Sequence, residues 1–345
     1  MRLSRQHNDS VGLVLSHYSS GRNLMLAGRF ASSRWHLEAG LTIYDPMSHH
    51  SLAHEAGFSL DVVSQGILGI VLFCLGCPDQ ALAQGNAAIA EARKLSHPSS
   101  LGSTLSDAAV VLALIGDSAA LNERADEMLA LASDQGFPYF RALGTVGLGW
   151  ARIMNGDVTA GISLLRTGST AYRATGAEAW APYCLALLAR ACEIAGQIEE
   201  CMTLLDDALR IVKRTGERWF EAELCRHKGQ LLLRQGHDEA AEKLSRKALS
   251  IAQAQEAKLW ELRTAVSLTR LWRNQGRHDE ARDLLGPIYN SFTEGFDTPD
   301  LKEAKVLLGE LDVEPGGVAS TTSNGKAGLD WAGGRAAKSR TLNPA

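Results

Sequence analysis

Residues 231–244 read "LLLRQGHDEAAEKL" and residues 271–285 read "LWRNQGRHDEARDLL". Both place a histidine beside two carboxylates, first as His237, Asp238 and Glu239, then as His278, Asp279 and Glu280. Such a grouping serves metal binding or acid–base work in many enzymes. The spacing argues otherwise. The two triplets lie 41 residues apart, whereas Gly236 and Gly276 lie 40 apart, each with an alanine five residues on, Ala241 and Ala281. Asp and Glu here suit the first turn of a helix, where the helix dipole favours negative charge. The element that keeps register is the glycine and the small residue after it.

The register extends through the chain. Gly76, Gly116, Gly156, Gly196, Gly236 and Gly276 are spaced by 40, and Gly136, Gly176 and Gly216 fall midway, with Ser96 and Glu256 in the same phase. Two turns per period leave two helices of roughly four to five turns each. Seven residues before each turn glycine stand Gly69, Ala109, Gly149, Ala189, Gly229 and Thr269, and five after it Ala81, Leu121, Gly161, Cys201, Ala241 and Ala281. Two antiparallel helices approach closely only where one lacks bulk, so these mostly small positions mark helix contacts. Phe140, Trp180, Phe220 and Trp260 recur at the same period and read as packing between repeats. Scarce prolines and few alternating β-branched runs argue against a sheet. The expected fold is all-α, a right-handed helical-repeat solenoid of about seven helix pairs with a 40-residue period.

The pattern of small residue, turn glycine and small residue at −7, 0 and +5 resembles the tetratricopeptide repeat. The period is longer than the usual one, which leaves armadillo- or HEAT-like packing as the structural alternative. A degenerate first repeat is visible at "LMLAGRFASSRWHLEAGL", with Gly28 at the turn and Gly21 seven before it. The distance from Gly28 to Gly76 implies a loop insertion near residues 43–51. "FTEGFDTPDLKEAKVLLGEL" reads as a closing helix capped by Thr298, with Pro299 in its first position and Leu301, Ala304, Leu307, Leu308 and Leu311 on one face. Residues 1–10 read as a flexible N-terminus, 11–312 as the array and 313–345, rich in Gly, Ser, Thr and Ala, as a disordered tail.

Composition narrows the function. The chain has 345 residues, 45% of them hydrophobic, and a net charge of −4 that offers no general attraction to nucleic acid. Six cysteines are too few for a disulfide scaffold and fit a reducing, cytoplasmic setting. The N-terminus reads as no signal peptide, and the longest apolar run, "ILGIVLFCLG", is far short of the roughly 20 residues of a membrane helix.

"GERWFEAELCRHKGQLLLRQG", "LWELRTAVSLTRLWRNQGRHDEARDLL" and "FTEGFDTPDLKEAKVLLGEL" resemble the C-terminal helical-repeat region of bacterial proteins that join a class III adenylate cyclase domain, a STAND-type ATPase module and a tetratricopeptide-like array. "IYDPMSHHSLAHEAG" and "LGCPDQALAQ" resemble earlier parts of that array, so the likeness covers about residues 10–312. It implies a sensory or protein-interaction region whose chemistry lies elsewhere. No GxxxxGK[ST] occurs; "TSNGKAG" has Ser320 where the first glycine belongs and Ala327 where Ser or Thr should bind magnesium. Beginning inside a degenerate repeat, the chain reads as a C-terminal fragment or a stand-alone relative. The expectation is a non-catalytic module with no cofactor and no metal. The alternatives are a nucleotide-dependent signalling enzyme and a small-ligand or metal sensor.

The metal alternative rests on Cys74 and Cys77 of "CLGC" with His50 and His54 of "HHSLAHE". Gly76 inside the first motif is the repeat's own turn, which makes Cys74 core and Cys77 a turn residue. Cys184, Cys192, Cys201 and Cys225 fall on apolar helical phases. The candidate site is instead the concave groove. In tetratricopeptide arrays the first helix of each pair faces the groove about 13, 10, 6 and 3 residues before the turn glycine. Those positions hold Ser103, Ser106, Val110 and Ala113, then Leu143, Val146, Trp150 and Ile153, both apolar sets. They continue with Tyr183, Ala186, Arg190 and Glu193, with Glu223, Arg226, Gln230 and Leu233, and with Arg263, Val266, Arg270 and Arg273. The expected groove is apolar in its first half and basic in its second, suiting a protein or peptide ligand with an acidic segment beside an apolar one. The residues singled out are Trp150, Tyr183, Arg190, Arg226, Gln230, Arg263, Arg270 and Arg273.

Overall fold

A computed structural model describes residues 9–45 and 57–312. Fifteen helices and no strand occur among them. The first seven are α1 (Ser10–Leu26), α2 (Phe30–Ile43), α3 (Leu60–Cys74), α4 (Pro78–Leu95), α5 (Pro98–Ile115), α6 (Ser118–Gln135) and α7 (Pro138–Met154). They are followed by α8 (Val158–Ala174), α9 (Ala181–Ile194), α10 (Ile198–Thr215), α11 (Glu221–Arg234) and α12 (Asp238–Ala254). Last come α13 (Lys258–Asn274), α14 (His278–Asn290) and α15 (Pro299–Asp312). Odd and even helices pair as antiparallel hairpins, giving seven pairs and a closing helix in an all-α helical-repeat solenoid. First helices of neighbouring pairs also touch directly, as α3 with α5, α5 with α7 and α11 with α13. Residues 1–8 of the expected flexible N-terminus, most of the 43–51 insertion and the tail lie outside the described residues; Asp9 and Ser10 are not flexible ends but the cap and first residue of α1.

The turn positions work as the 40-residue register requires. All six principal glycines have φ between 76° and 90°, the left-handed region that ends a helix without cost to a residue lacking Cβ. Ser96 and Glu256, in the same phase as the midway glycines, take φ of 51° and 55° despite carrying side chains. Register, not residue preference, sets their backbone.

The small positions are where helices meet. A Cβ added at Gly149 of α7 would lie 2.9 Å from the Leu165 nitrogen and 3.1 Å from the Gly161 carbonyl oxygen of α8, backbone against backbone. The recurring aromatics Phe140, Trp180, Phe220 and Trp260 are buried, and the Phe220 and Trp260 rings meet edge to face at 5.4 Å. Trp180 carries a positive φ of 71° that the register did not foretell. Helix α5 is long and apolar enough to cross a membrane, but 67% of it is buried within the solenoid, as a core helix would be.

The array also closes on itself. The backbone N–H groups of Arg218 and Trp219 both donate to the Leu26 carbonyl, at 2.7 and 3.1 Å. The Glu294 carboxylate accepts from the N–H groups of Asp79 and Gln80 at 3.0 and 3.1 Å, satisfying the exposed start of α4 from over two hundred residues away. The Gly295 N–H returns a bond to the Asp79 carboxylate at 3.0 Å. These bonds tie the first two pairs to the linkers that precede α11 and α15.

One sequence detail is corrected. Thr298 does not cap α15 through its side chain; its hydroxyl donates backward to the Gly295 carbonyl at 2.6 Å. The apolar face of α15 holds, with Leu301, Ala304, Leu307 and Leu311 buried.

Candidate functional site

The histidine triplets are helix starts. His237 precedes α12 and is exposed, with Asp238 and Glu239 in its first turn. Asp279 and Glu280 pair with Arg282 and Arg277 of the same turn region, at 3.1 and 2.7 Å. The cysteines are free, and five of the six are buried. His50 and His54 lie outside the described residues, among which no group of three metal-ligating side chains occurs.

The inner positions divide into two zones. In the first, α5, α7 and α9 wall an apolar cleft of about 480 Å³, including its part open to solvent. Val110, Leu143, Val146, Trp150 and Tyr183, all expected groove residues, line it together with Trp180. The structure thus brings Trp150 and Tyr183 to one surface. Sequence reasoning missed Asp107 on the same wall. A signal was present, because Asp107 is the sole charged residue in the eighteen of α5.

In the second zone the arginines are engaged within the chain. Arg226 forms a two-pronged pair with Glu223 at 2.7 and 3.0 Å. Arg263 is the hub. Its guanidinium, 11% exposed, grips Asp300 through two bonds of 2.8 Å, reaches Glu223 at 3.3 Å and donates to the Leu114 carbonyl at 2.6 Å. It also lies over the Trp260 ring at 5.3 Å and the Phe73 ring at 5.9 Å. Burial alone would ease its proton off, but Asp300 and Glu223 outweigh that and hold the charge. Arg270 pairs with Glu303 at 2.6 Å and Arg273 with Glu310. Gln230 donates to the Ser267 hydroxyl at 3.2 Å.

Arg190 belongs to a buried knot around Glu193. That carboxylate, 2% exposed, meets Arg190 and Arg234 at 2.5 Å and the His227 Nε2 at 2.7 Å. Burial pushes the Glu193 carboxyl up, yet the His227 hydrogen bond and the two arginines overcome this and hold it at about 2. Burial pushes His227 down, against the opposing pull of the Glu193 carboxylate, to which its Nε2–H donates. Each charged group of the knot has an ion-pair partner within the chain, although Glu193 Oε1 meets Arg234 without a formed hydrogen bond.

The expected basic half of the groove is therefore corrected. Its arginines are present at the expected positions, but carboxylates of this chain already neutralise them. Asp300, Glu303 and Glu310 of α15 supply the acidic complement that was expected from a partner. The sequence set used for the groove stopped at α13, and α15 is the next first helix.

Comparison with known proteins gives the fold a wider setting. No family model matches the chain. An uncharacterized protein of Rhizobium meliloti (strain 1021) is 26% identical over 272 residues, covering 78% of this chain and 26% of its own length. The chain thus spans about a quarter of the curated relative it matches. Among solved structures, the signal transduction ATPase with numerous domains and a tetratricopeptide repeat sensor from Pyrococcus horikoshii has a TM-score of 0.53 at 10% identity, over 88% of this chain and 43% of that one. Apo RapI gives 0.50 at 9%, over 86% and 99%. The apo quorum sensor NprR from B. thuringiensis gives 0.50 at 14%, over 86% and 80%. Identities this low speak for architecture alone: the chain shares the fold of tetratricopeptide-like helical-repeat proteins.

Proposed function

We propose that this chain is a non-catalytic protein-interaction and regulatory module whose inner cleft receives an apolar peptide segment of a partner. The cleft carries the reading: consecutive first helices turn apolar and aromatic side chains toward one partly open space. A concave, mainly apolar pocket with few polar groups is the usual form of a binding site. The partner signal is read by a signalling enzyme, attached or separately encoded. The resemblance to repeat regions of cyclase and STAND-type proteins supports that part, as does the likeness to a STAND protein described as having a tetratricopeptide repeat sensor. The acidic segment is no longer part of the reading, since α15 engages the arginines it would have met.

Selection from a random peptide library on the purified chain tests this. The expected outcome is enrichment of apolar peptides whose binding falls at least about tenfold in Val110→Trp, a substitution that fills the cleft from a half-exposed position. Peptides that bind Val110→Trp as well as the wild type, or no enrichment at all, would overturn it. ATP binding or cyclic nucleotide production by the chain would favour the enzyme alternative.

A further inference from the structure

The apolar cleft contains one charge that the chain leaves unanswered. Asp107 is 8% exposed, lines the cleft and makes no hydrogen bond or ion pair among the described residues. Space is made for it: a Cβ on Gly66 of α3 would come within 2.6 Å of the Asp107 Oδ2. Every carboxylate described in the second zone has a cationic partner, and the buried Glu217 accepts N–H bonds from Trp180 and Trp219; Asp107 has neither. Three groups from neighbouring elements face it: Arg22 and Tyr18 of α1 and Tyr139 of α7. Arg22 acts through space without forming an ion pair.

A buried carboxylate without a partner is costly, and a bound cation with its own N–H donors removes that cost. The surroundings suit such a ligand. Trp150, Trp180 and Tyr183 line the space, and aromatic rings attract cations and pack against apolar groups. An α-amino terminus carries its ammonium and its side chain on a single carbon, so one residue meets both the charge and the apolar wall. A lysine places its charge at the end of a stem, with nothing apolar beyond it.

We propose that Asp107 pairs with the α-ammonium group of a peptide whose first residue is large and apolar, and that Trp150, Trp180 and Tyr183 surround that residue's side chain. The inference rests on the reading of the cleft as the partner site. Burial raises the Asp107 carboxyl to about 7, so the empty cleft holds it partly protonated and an arriving ammonium draws it into the ionised form.

The test uses the full chain and the peptide Phe-Ala-Ala-Ala, free or N-acetylated, in titration calorimetry. The free peptide is expected to bind about 30-fold or more tightly than the acetylated one, the lower range for a desolvated charge pair. That preference should vanish in Asp107→Asn and in Asp107→Ser, both neutral, with the far-ultraviolet dichroism of each variant confirming its fold. Equal binding of the two peptides, lost in Val110→Trp, would sink the Asp107 assignment and leave the cleft reading intact. So would a preference that persists in both neutral variants, or failure of either peptide to bind while library peptides still do. Phenethylamine binding as tightly as the free peptide, or an acetylated lysine-containing peptide doing so, would overturn the assignment to a peptide terminus.

Discussion

From α5 to the start of α9 the inner face of the array is largely apolar and encloses a cleft, while from the end of α9 to α15 the same repeat positions carry arginines and glutamates that bind one another. Trp150 and Arg270 occupy the same place in their repeats, six residues before the turn glycine. One lines open space and the other pairs with Glu303. A shared lattice therefore fixes where a side chain points and leaves open what meets it there. In the second zone the neighbouring first helix meets it, and the charges are satisfied before any partner arrives.

Removing the hub of the charged zone should have the largest effect. Arg263→Met leaves the largely enclosed Asp300 without its counter-charge and Glu223 with Arg226 alone, and is expected to cost about 3–5 kcal/mol, measured by urea denaturation. Arg263→Lys should recover little, because an ammonium cannot grip Asp300 with two bonds while also reaching Glu223 and Leu114. Wild-type stability on substitution at this site would show that the Arg263 hub is incidental.

The lone carboxylate of the apolar zone should behave in the opposite way. The folded-state carboxyl of Asp107 sits at about 7, above its ordinary 3.8, so the folded chain holds the proton more tightly than the unfolded one. Its contribution is most favourable below pH 4, is lost as pH rises toward 7 and stays lost above. Asp107→Asn should thus stabilise the chain at pH 8 by up to about 4 kcal/mol, with the gain shrinking toward pH 4. Glu217, raised by burial to about 6, adds a pH dependence of the same sign that the variant retains. Denaturation of both proteins at pH 5 and pH 8 decides it, and a gain that does not grow with pH would count against the raised carboxyl.

Smaller effects sharpen the contrast. Glu256→Gly should add about 1 kcal/mol by relieving a left-handed backbone imposed by the register, visible as a higher Tm. Arg270→Ala should change stability by less than about 1 kcal/mol, since its pair with Glu303 is half open to water and screened by salt. A large loss there would mean that the outer part of the charged zone matters as much as Arg263.

The turn glycines, the small contact residues and the aromatic series were legible because each recurs at 40 residues and only one helical period accommodates them. The histidine triplets were legible as helix starts for the complementary reason, since they drift by one residue against that period. Trp150 and Tyr183 could be placed on a common inner surface, because the position within a repeat sets which way a helix face points. The state of the arginines could not be read in this way. Whether Arg263 is free or bound depends on Asp300 one repeat later and on the Leu114 carbonyl 149 residues earlier, and no spacing rule links them. Nor could the isolation of Asp107 be seen, although its solitary charge in α5 marked it. Helices, register and inward-facing positions follow from local backbone geometry and recurring side-chain size, and so can be read along the chain. Which inward charges are answered is settled by whichever groups closure of the array brings within reach, and that is visible in the folded molecule alone.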